Sequence, residues 1–400
     1  MNKNVFTIYY FLLLFTFFNP IYAAKHNSLS SLQRITKMGE NTYITSKIDT
    51  ENDLCFWFKK CMFNDLYTFY RVGLCSGKNQ TISLHPDNIS ERILNTASSD
   101  NIGPFEIKDG GWCGGNHSFS MNNKTIKTAS TISYKIIADG KELTKDTTML
   151  VNTIRISVVN HIQNPTLPQW DNKTLSLPSL LCIEYVDYDI WQNSIQVSVR
   201  HQYMNERPIT ISKYYGMQSM FNNEIEILTV DGKYSDWTPI SKIKRFNKRN
   251  YPHFRCFLER NNLAFQSSFL FNDGLGEHKE LSDSDVIFIG NSYGKSYHKL
   301  VSNKERKIGD SDFWKGVYTW NMINKQKDSS LLMYNGQISG RKVLYIIIKS
   351  KINKEITLPS EFCHRNLKII YQSPSIKIKR HYNNAYQILS KKPGGIIITV

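Results

Sequence analysis

The sequence predicts an all-β protein, an antiparallel β-sandwich or super-sandwich with few short helices. Apolar and polar residues alternate through much of the chain, as in strands that bury one face. Turn signals recur about every dozen residues, the spacing of short strands in packed antiparallel sheets. No window shows a sustained helical period, although residues 87–97, "DNISERILNTA", predict one short capped helix.

Three segments carry the alternation most clearly. Residues 128–146 predict a strand with Ile132, Tyr134 and Ile136 on one face, followed by a tight hairpin turn at Asp139-Gly140. Residues 151–165 repeat the pattern, and so do several segments of the last 60 residues. The clearest strand is "NSIQVSVRHQYMN", which places these residues on one face: Ile195, Val197, Val199, His201 and Tyr203.

The first residues predict export. Lys3 is the only charge before an apolar run, and Pro20 precedes small residues that end at Ala23. This pattern is typical of a signal peptide over residues 1–23, cleaved near Ala23. We therefore expect a secreted or periplasmic protein. No later segment approaches the ~20 apolar residues that cross a bilayer.

The rest of the chain divides by composition. Residues 24–52 are polar and unpatterned, which predicts a flexible arm, and two β regions follow at 53–165 and 180–400. The proline-rich segment between them is either a domain break or a long loop inside one continuous sandwich. Seven cysteines are an odd number for an exported protein, so at least one is free, and a local bridge among Cys55, Cys61 and Cys75 stays open.

The chain carries a formal charge of +16. A basic exported protein could bind an acidic polymer, although abundant Lys, Asn, Ile and Tyr also arise from an A/T-rich genome. Export and the absence of an Arg-rich stripe disfavour a nucleic-acid partner. The sequence also lacks P-loop, GxGxxG, HExxH and GxSxG motifs, which makes phosphate transfer, dinucleotide chemistry and zinc proteolysis poor expectations.

The densest cluster is "GGWCGGNH", residues 110–117. Its glycine pairs allow a tight bend that presents Asn116 and His117, which is how sites are built on β scaffolds. Alternatively the bend is a structural corner with Trp112 in the core. His201 is likewise either a ligand-facing residue or a satisfied core histidine. Lys295 and Tyr297 should share a strand face that His298 opposes.

These residue types can serve β-elimination on a uronic-acid polymer. A cation or amide neutralises the carboxylate, a His or Tyr removes the neighbouring proton, and a Tyr protonates the leaving oxygen. The candidate proton-transfer residues are His117, His201, Tyr297, His298 and Tyr215. The candidate substrate-binding residues are Trp112, Asn116, Arg200, Tyr214, Lys295 and Trp314.

The leader, the long antiparallel β pattern, "GGWCGGNH", "YYGMQSMF" and "GKSYHK" together resemble secreted bacterial glycan-processing proteins with β-sandwich or super-sandwich domains. Polysaccharide lyases and galactose-mutarotase-like enzymes share that architecture. The resemblance implies a partner that is an acidic polysaccharide or other glycan. No family motif matches residue by residue, so it assigns no site residue.

The leading hypothesis is therefore an exported polysaccharide lyase that cleaves an acidic glycan. The alternatives are a non-catalytic glycan-binding or adhesion protein, a mutarotase-like epimerase and a glycoside hydrolase. We expect no metal site and no cofactor, and the sequence leaves open whether Ca²⁺ helps to neutralise the substrate carboxylate. It also leaves the oligomeric state open.

Overall fold

A computed structural model describes most of the chain after residue 31. Residues 32–400 are described except for 77–88, 95–100, 171–174, 178, 222–224, 230–237, 240–241, 243–244, 248–254, 259–262, 276–283, 290–292, 323–329, 339–340, 363–366 and 383–384. The predicted signal peptide lies outside this part. Within it, strands are antiparallel throughout, and a 3₁₀ turn lies at Ser360–Phe362. The predicted all-β sandwich class is confirmed.

Ten strands form the central sheet, onto which the other large sheets pack. In spatial order they are β11 (Lys141–Glu142), β10 (Ala129–Ala138), β13 (Ile154–Gln163), β16 (Leu180–Trp191), β17 (Ser194–Tyr203), β26 (Ser311–Met322), β23 (Leu263–Asp273), β22 (Arg255–Leu258), β19 (Glu226–Thr229) and β20 (Thr238–Pro239).

Two six-stranded sheets lie against the central sheet. The first has the order β12 (Thr147–Val151), β1 (Gln33–Met38), β2 (Asn41–Lys47), β3 (Asn52–Cys61), β4 (Leu66–Ser76) and β5 (Ile89–Leu94). The second has the order β21 (Arg245–Asn247), β24 (Ser284–Ile289), β25 (Tyr293–Arg306), β18 (Ile209–Phe221), β6 (Phe105–Ile107) and β7 (Gly111–Cys113).

Aromatic residues join these layers into one core. The rings of Phe58 and Tyr188 lie 5.3 Å apart between the first six-stranded sheet and the central sheet. Phe105 of the second six-stranded sheet lies 5.0 Å from the ring of His201 on the central sheet. One continuous cluster of buried side chains includes members of all three sheets, so they form a single sandwich.

The last 70 residues form a smaller sandwich with its own core. One sheet contains β27 (Leu331–Ile338), β28 (Arg341–Ile348), β33 (Gly394–Thr399) and β30 (Lys368–Gln372). The other contains β29 (Ile352–Thr357), β32 (Ala385–Ser390) and β31 (Ile376–Tyr382). Two short ribbons complete the described strands: β8 (Ser118–Met121) with β9 (Lys124–Lys127), and β14 (Gln169–Trp170) with β15 (Leu175–Ser176).

The alternation predicted β13 and β17 correctly. Every predicted inward residue of β17 is fully buried, and Asp139 and Gly140 have the positive φ angles of the predicted turn. On β10 the prediction was wrong for Ile132, which is 55% exposed. The strand has a register shift between Thr131 and Ser133 that turns Ile132 outward.

The structure also corrects two predictions for the first six-stranded sheet. Residues 33–47 form two strands where the sequence predicts a flexible arm. Their polar side chains are buried because they have partners: Thr42 shares a hydrogen bond of 2.9 Å with the Tyr67 hydroxyl, for example. Residues 89–94, inside the predicted helix, form β5 and pair with β4, so tertiary pairing overrides the local capping signal.

The predicted break at 163–180 does not separate two sheets, because β13 and β16 on either side of it are paired neighbours. Residues from Ser31 to Val400 form one compact unit. Five cysteines whose side chains are described are buried free thiols: Cys55, Cys61, Cys75, Cys113 and Cys182. No helix in the described residues is long and apolar enough to cross a membrane.

Candidate functional site

The outer face of the second six-stranded sheet carries an aromatic and basic surface. The register places Trp112 of β7 opposite Glu106 of β6, and Glu106 opposite Lys213 of β18. The Lys213 ammonium pairs with the Glu106 carboxylate at 2.5 Å and lies 5.7 Å from the centre of the Trp112 ring. Three neighbouring strands therefore present one row of side chains on the same face.

Two more rings stack on Trp112. The centre of its ring lies 5.0 Å from that of His117 and 5.7 Å from that of Tyr215, with interplanar angles of 23° and 18°. All three side chains are half-buried. Lys295 of β25 is close enough to act electrostatically on His117. We call Trp112, His117, Lys213, Tyr215 and Lys295 the Trp112 cluster.

The glycine-rich bend holds His117 in place. Gly114 and Gly115 have φ angles of +72° and +51°, a region that glycine enters without strain. The Asn64 side-chain amide donates to the carbonyls of Gly115 and His117, at 2.7 and 2.9 Å. Asn116 accepts a hydrogen bond of 2.9 Å from the Phe63 amide. The bend is both a structural corner and the support of a surface residue.

Burial, together with the nearby Lys295 ammonium, lowers the pKa of His117 below its ordinary value. The imidazole is therefore neutral at pH 7, and a neutral imidazole can accept a proton or a hydrogen bond. Lys295 and Lys213 supply the positive charge of the surface instead.

An open depression adjoins the cluster. It has a volume of about 720 Å³ and is lined by residues of β6, β7 and β18 and by Asn303. A second depression of about 300 Å³ shares Lys108 and Asp109 with it. Both are open rather than enclosed and have polar linings, so a polymer could pass across them without threading.

The structure brings together Trp112, His117, Tyr215 and Lys295 of the predicted residues and buries several others. Asn116 precedes His117 on the bend, but its side chain bonds to the Phe63 amide. Tyr214 is fully buried: its hydroxyl donates to the Ile102 carbonyl at 2.6 Å and accepts from the Trp314 indole at 2.8 Å. Trp314 is also fully buried, which makes both residues core members that contact no solvent.

The remaining predicted residues lie elsewhere. Arg200 is exposed on the central sheet, 4.0 Å over the ring of Tyr185. His298 is fully buried on the inner face of β25, whereas Lys295 is half-exposed, as the alternation predicts. Tyr297 pairs through its backbone with Asp285, and its side chain lies outside the described part. The sequence reasoning missed Lys213 and Glu106, although Lys213 lies two residues before Tyr215 on β18 and so shares its face.

His201 belongs to a buried ionic network. Its Nδ1 lies 2.6 Å from Asp312 and its Nε2 3.1 Å from Glu184. Asp312 also accepts hydrogen bonds from the Tyr203 hydroxyl at 2.9 Å and from Arg306 at 3.1 Å. Two carboxylates thus face one imidazolium and one guanidinium, which is how charges can remain inside a core. His201 is therefore a buried core residue whose ring nitrogens both have partners, which is the second of the two interpretations offered by the sequence.

The network predicts a loss of stability at alkaline pH. Burial alone would lower the pKa of His201, but Asp312 and Glu184 outweigh it and raise the pKa to about 9. Because this exceeds the ordinary value of 6.5, the stabilisation is complete below that pH and disappears as pH rises through 9. Urea unfolding between pH 6 and pH 10 should show the decline. In His201→Gln the decline over this window should largely disappear, and an equally steep decline would contradict the assignment.

No group of three or more His, Cys, Asp or Glu side chains in the described residues is arranged to hold a metal ion. A role for Ca²⁺ with a bound substrate stays a prediction.

No family model matches the sequence, and no curated protein matches it. Among solved structures, the galactosidase domain of an α-galactosidase–sucrose kinase superposes with a TM-score of 0.36 at 11% identity, over 72% of this chain and 40% of that chain. A galactose mutarotase-like protein from Clostridium acetobutylicum gives 0.33 at 12% identity, over 74% and 99%. A heparan sulfate lyase mutant from Pedobacter heparinus gives 0.30 at 7% identity, over 77% and 40%.

These structures are of glycan-processing proteins, the kind that the sequence resembles, and the likeness is weak. Similarity at TM-scores this low assigns neither a substrate nor a reaction to the chain.

Proposed function

We propose that the protein is an exported carbohydrate-binding protein that holds an acidic glycan on the Trp112 cluster. The observation that carries the proposal is the stack of three half-exposed rings beside two lysines on one sheet face. Aromatic rings offer flat apolar area at a low cost in conformational entropy, which suits the C–H faces of sugar rings. The ammonium groups suit carboxylate or sulfate substituents.

Binding is favoured over cleavage because the candidate bases do not converge. His201 and His298 are fully buried, and His117 is the one of the three that lies at the surface. A general base must come within hydrogen-bonding reach of the proton that it removes. The two buried histidines therefore stabilise the core and cannot reach a bound substrate.

Replacing Trp112 with alanine should weaken binding of polygalacturonate or another uronic-acid polymer about tenfold, which corresponds to ~1.4 kcal/mol. Lys213→Ala and Lys295→Ala should each weaken it and reduce its dependence on salt, since salt screens exposed charges. Isothermal titration of residues 24–400 at two NaCl concentrations measures both effects.

Lys315→Ala is a matched control. Lys315 lies on the central sheet with its ammonium 5.3 Å from the centre of the Phe313 ring, and it is half-exposed like Lys213. Its replacement should leave affinity unchanged. Equal losses in Lys213→Ala and Lys315→Ala would show general attraction by net charge and would contradict a site at the Trp112 cluster.

Elimination is the second candidate, and the neutral His117 beside Lys295 favours it. His117 would take the proton next to the sugar carboxylate while Lys295 neutralises that carboxylate. The C–O bond to the leaving sugar would break as the C=C bond forms, and the Tyr215 hydroxyl would protonate the leaving oxygen. Incubation of the protein with the same uronic-acid polymers can be followed by the ultraviolet absorbance of the unsaturated product. A rise that His117→Ala abolishes would make this a lyase, and a flat trace with measurable binding supports a binding protein.

A further inference from the structure

The positive charge of the chain is concentrated in the C-terminal sandwich. Residues 331–400 contain 12 lysines and arginines against two acidic residues, a formal charge of +10. The first 330 residues contain 38 against 32, a charge of +6. A genome bias toward lysine codons would act on the whole chain, so it does not explain why acidic residues almost vanish from one part of it.

The fold gathers many of these cations at one end of the sheet formed by β29, β32 and β31. The register aligns Ile352 with Ser390 and Ser390 with Ile376, so Lys351 and Lys391 lie just beyond this end and Lys377 lies one residue inside it. Ser390 donates to the Lys392 carbonyl at 2.5 Å and holds the turn that follows. We call four exposed residues of this region the basic end: Lys351, Lys377, Lys391 and Lys392. Lys379 and Arg380 are also exposed and lie farther along β31, opposite Gln387 and Tyr386.

Most of the rest of that sheet face is polar, although Leu389, which is 36% exposed, also lies on it. The side chains of Asn353 and Gln387 are joined by a hydrogen bond of 2.6 Å. Glu355 pairs with His381 at 3.2 Å and accepts from the Tyr382 hydroxyl at 3.4 Å. A face built mainly of amides, a tyrosine and lysines can hydrogen-bond to hydroxyl groups, whereas insertion into a bilayer requires a broad exposed apolar face.

We propose that the basic end is a second binding surface, separate from the Trp112 cluster, and that its partner is an anionic polysaccharide. Lys379 and Arg380 continue the basic end along β31, an edge strand that rises about 3.3 Å per residue, with Ile378 between Lys377 and Lys379. Such a line of cations matches a linear chain of regularly spaced carboxylates or sulfates. Opposite charge also steers the polymer toward the surface before contact.

The proposal is tested with the full mature chain, using dextran sulfate as the probe and neutral dextran as the reference. A triple variant, Lys377→Ala, Lys379→Ala and Lys391→Ala, should bind dextran sulfate about tenfold more weakly. A control triple variant removes the same charge from exposed positions outside the C-terminal sandwich: Lys141→Ala, Lys145→Ala and Lys307→Ala. It should bind dextran sulfate almost normally. Equal losses in the two triple variants would overturn the proposal.

Two further outcomes would also overturn it. Anionic vesicles or polyglutamate that compete as well as dextran sulfate would show a surface that does not select a polysaccharide. Self-association of the triple variant with unchanged dextran sulfate binding would show that the lysines protect edge strands from pairing. Trp112→Ala separates the two surfaces: if it weakens polygalacturonate binding while the triple variant leaves dextran sulfate binding unchanged, the first surface stands and this one fails.

Discussion

Replacing Asp312 with alanine is expected to destabilise the fold by about 3–5 kcal/mol. The buried Asp312 carboxylate accepts hydrogen bonds from His201, Arg306 and Tyr203. Its removal leaves two buried cations with a single carboxylate, Glu184, which bonds to the imidazole and to the Asn160 amide. Urea unfolding at pH 7 measures the loss, and it should exceed that of any single substitution on the Trp112 cluster.

Asp187 provides the control for this prediction. It lies on the outer face of the same sheet, half-buried, and accepts a hydrogen bond of 2.6 Å from Ser157. Asp187→Ala should cost no more than about 1 kcal/mol, because water replaces the lost partner. Equal losses of stability in the two variants would contradict the role of Asp312 in holding a buried ionic network.

Replacing Trp314 with alanine is expected to cost about 3–5 kcal/mol, the usual range for a large buried aromatic residue. The substitution opens a cavity beside Gly216 and removes the donor to the Tyr214 hydroxyl. Thermal unfolding should show the loss as a lower melting temperature.

Trp112→Ala supplies the comparison for Trp314→Ala, because one tryptophan lies on the outer face and the other in the core. Trp112→Ala should leave the melting temperature nearly unchanged and weaken glycan binding. Trp314→Ala should do the opposite at temperatures where it remains folded. A reversed result for either variant would contradict the placement of that ring.

Periodicity predicts which residues of a strand share a face, but not what that face meets. The alternation of β17 places His201 with Ile195 and Val199, and the structure agrees. Its partner Asp312 is 111 residues away in sequence. Nothing local encodes that distance, so the sequence could not distinguish a catalytic histidine from a buried ion-pair partner.

The same limit applied to the candidate site. The glycine bend at residues 110–117 was visible in the sequence, and its neighbours on β18 and β25 were visible as separate aromatic and basic segments. Their meeting depends on the pairing of β6 with β18, which closes a loop of about a hundred residues and has no local signal. The arm at residues 33–47 was missed for a related reason, because strands with buried polar residues lack an apolar alternation.

Tyr214 and Tyr215 are adjacent on β18, yet one faces Trp314 inside the sandwich and the other faces Trp112 outside it. Positions 213 and 215 of this strand are therefore under selection that differs from the selection on position 214. Drift at positions 213 and 215 can change the proposed glycan surface while the interior stays intact. A lineage of such proteins could diversify its ligands quickly on an unchanged scaffold, and variation among its members should be concentrated at the outward positions of β18.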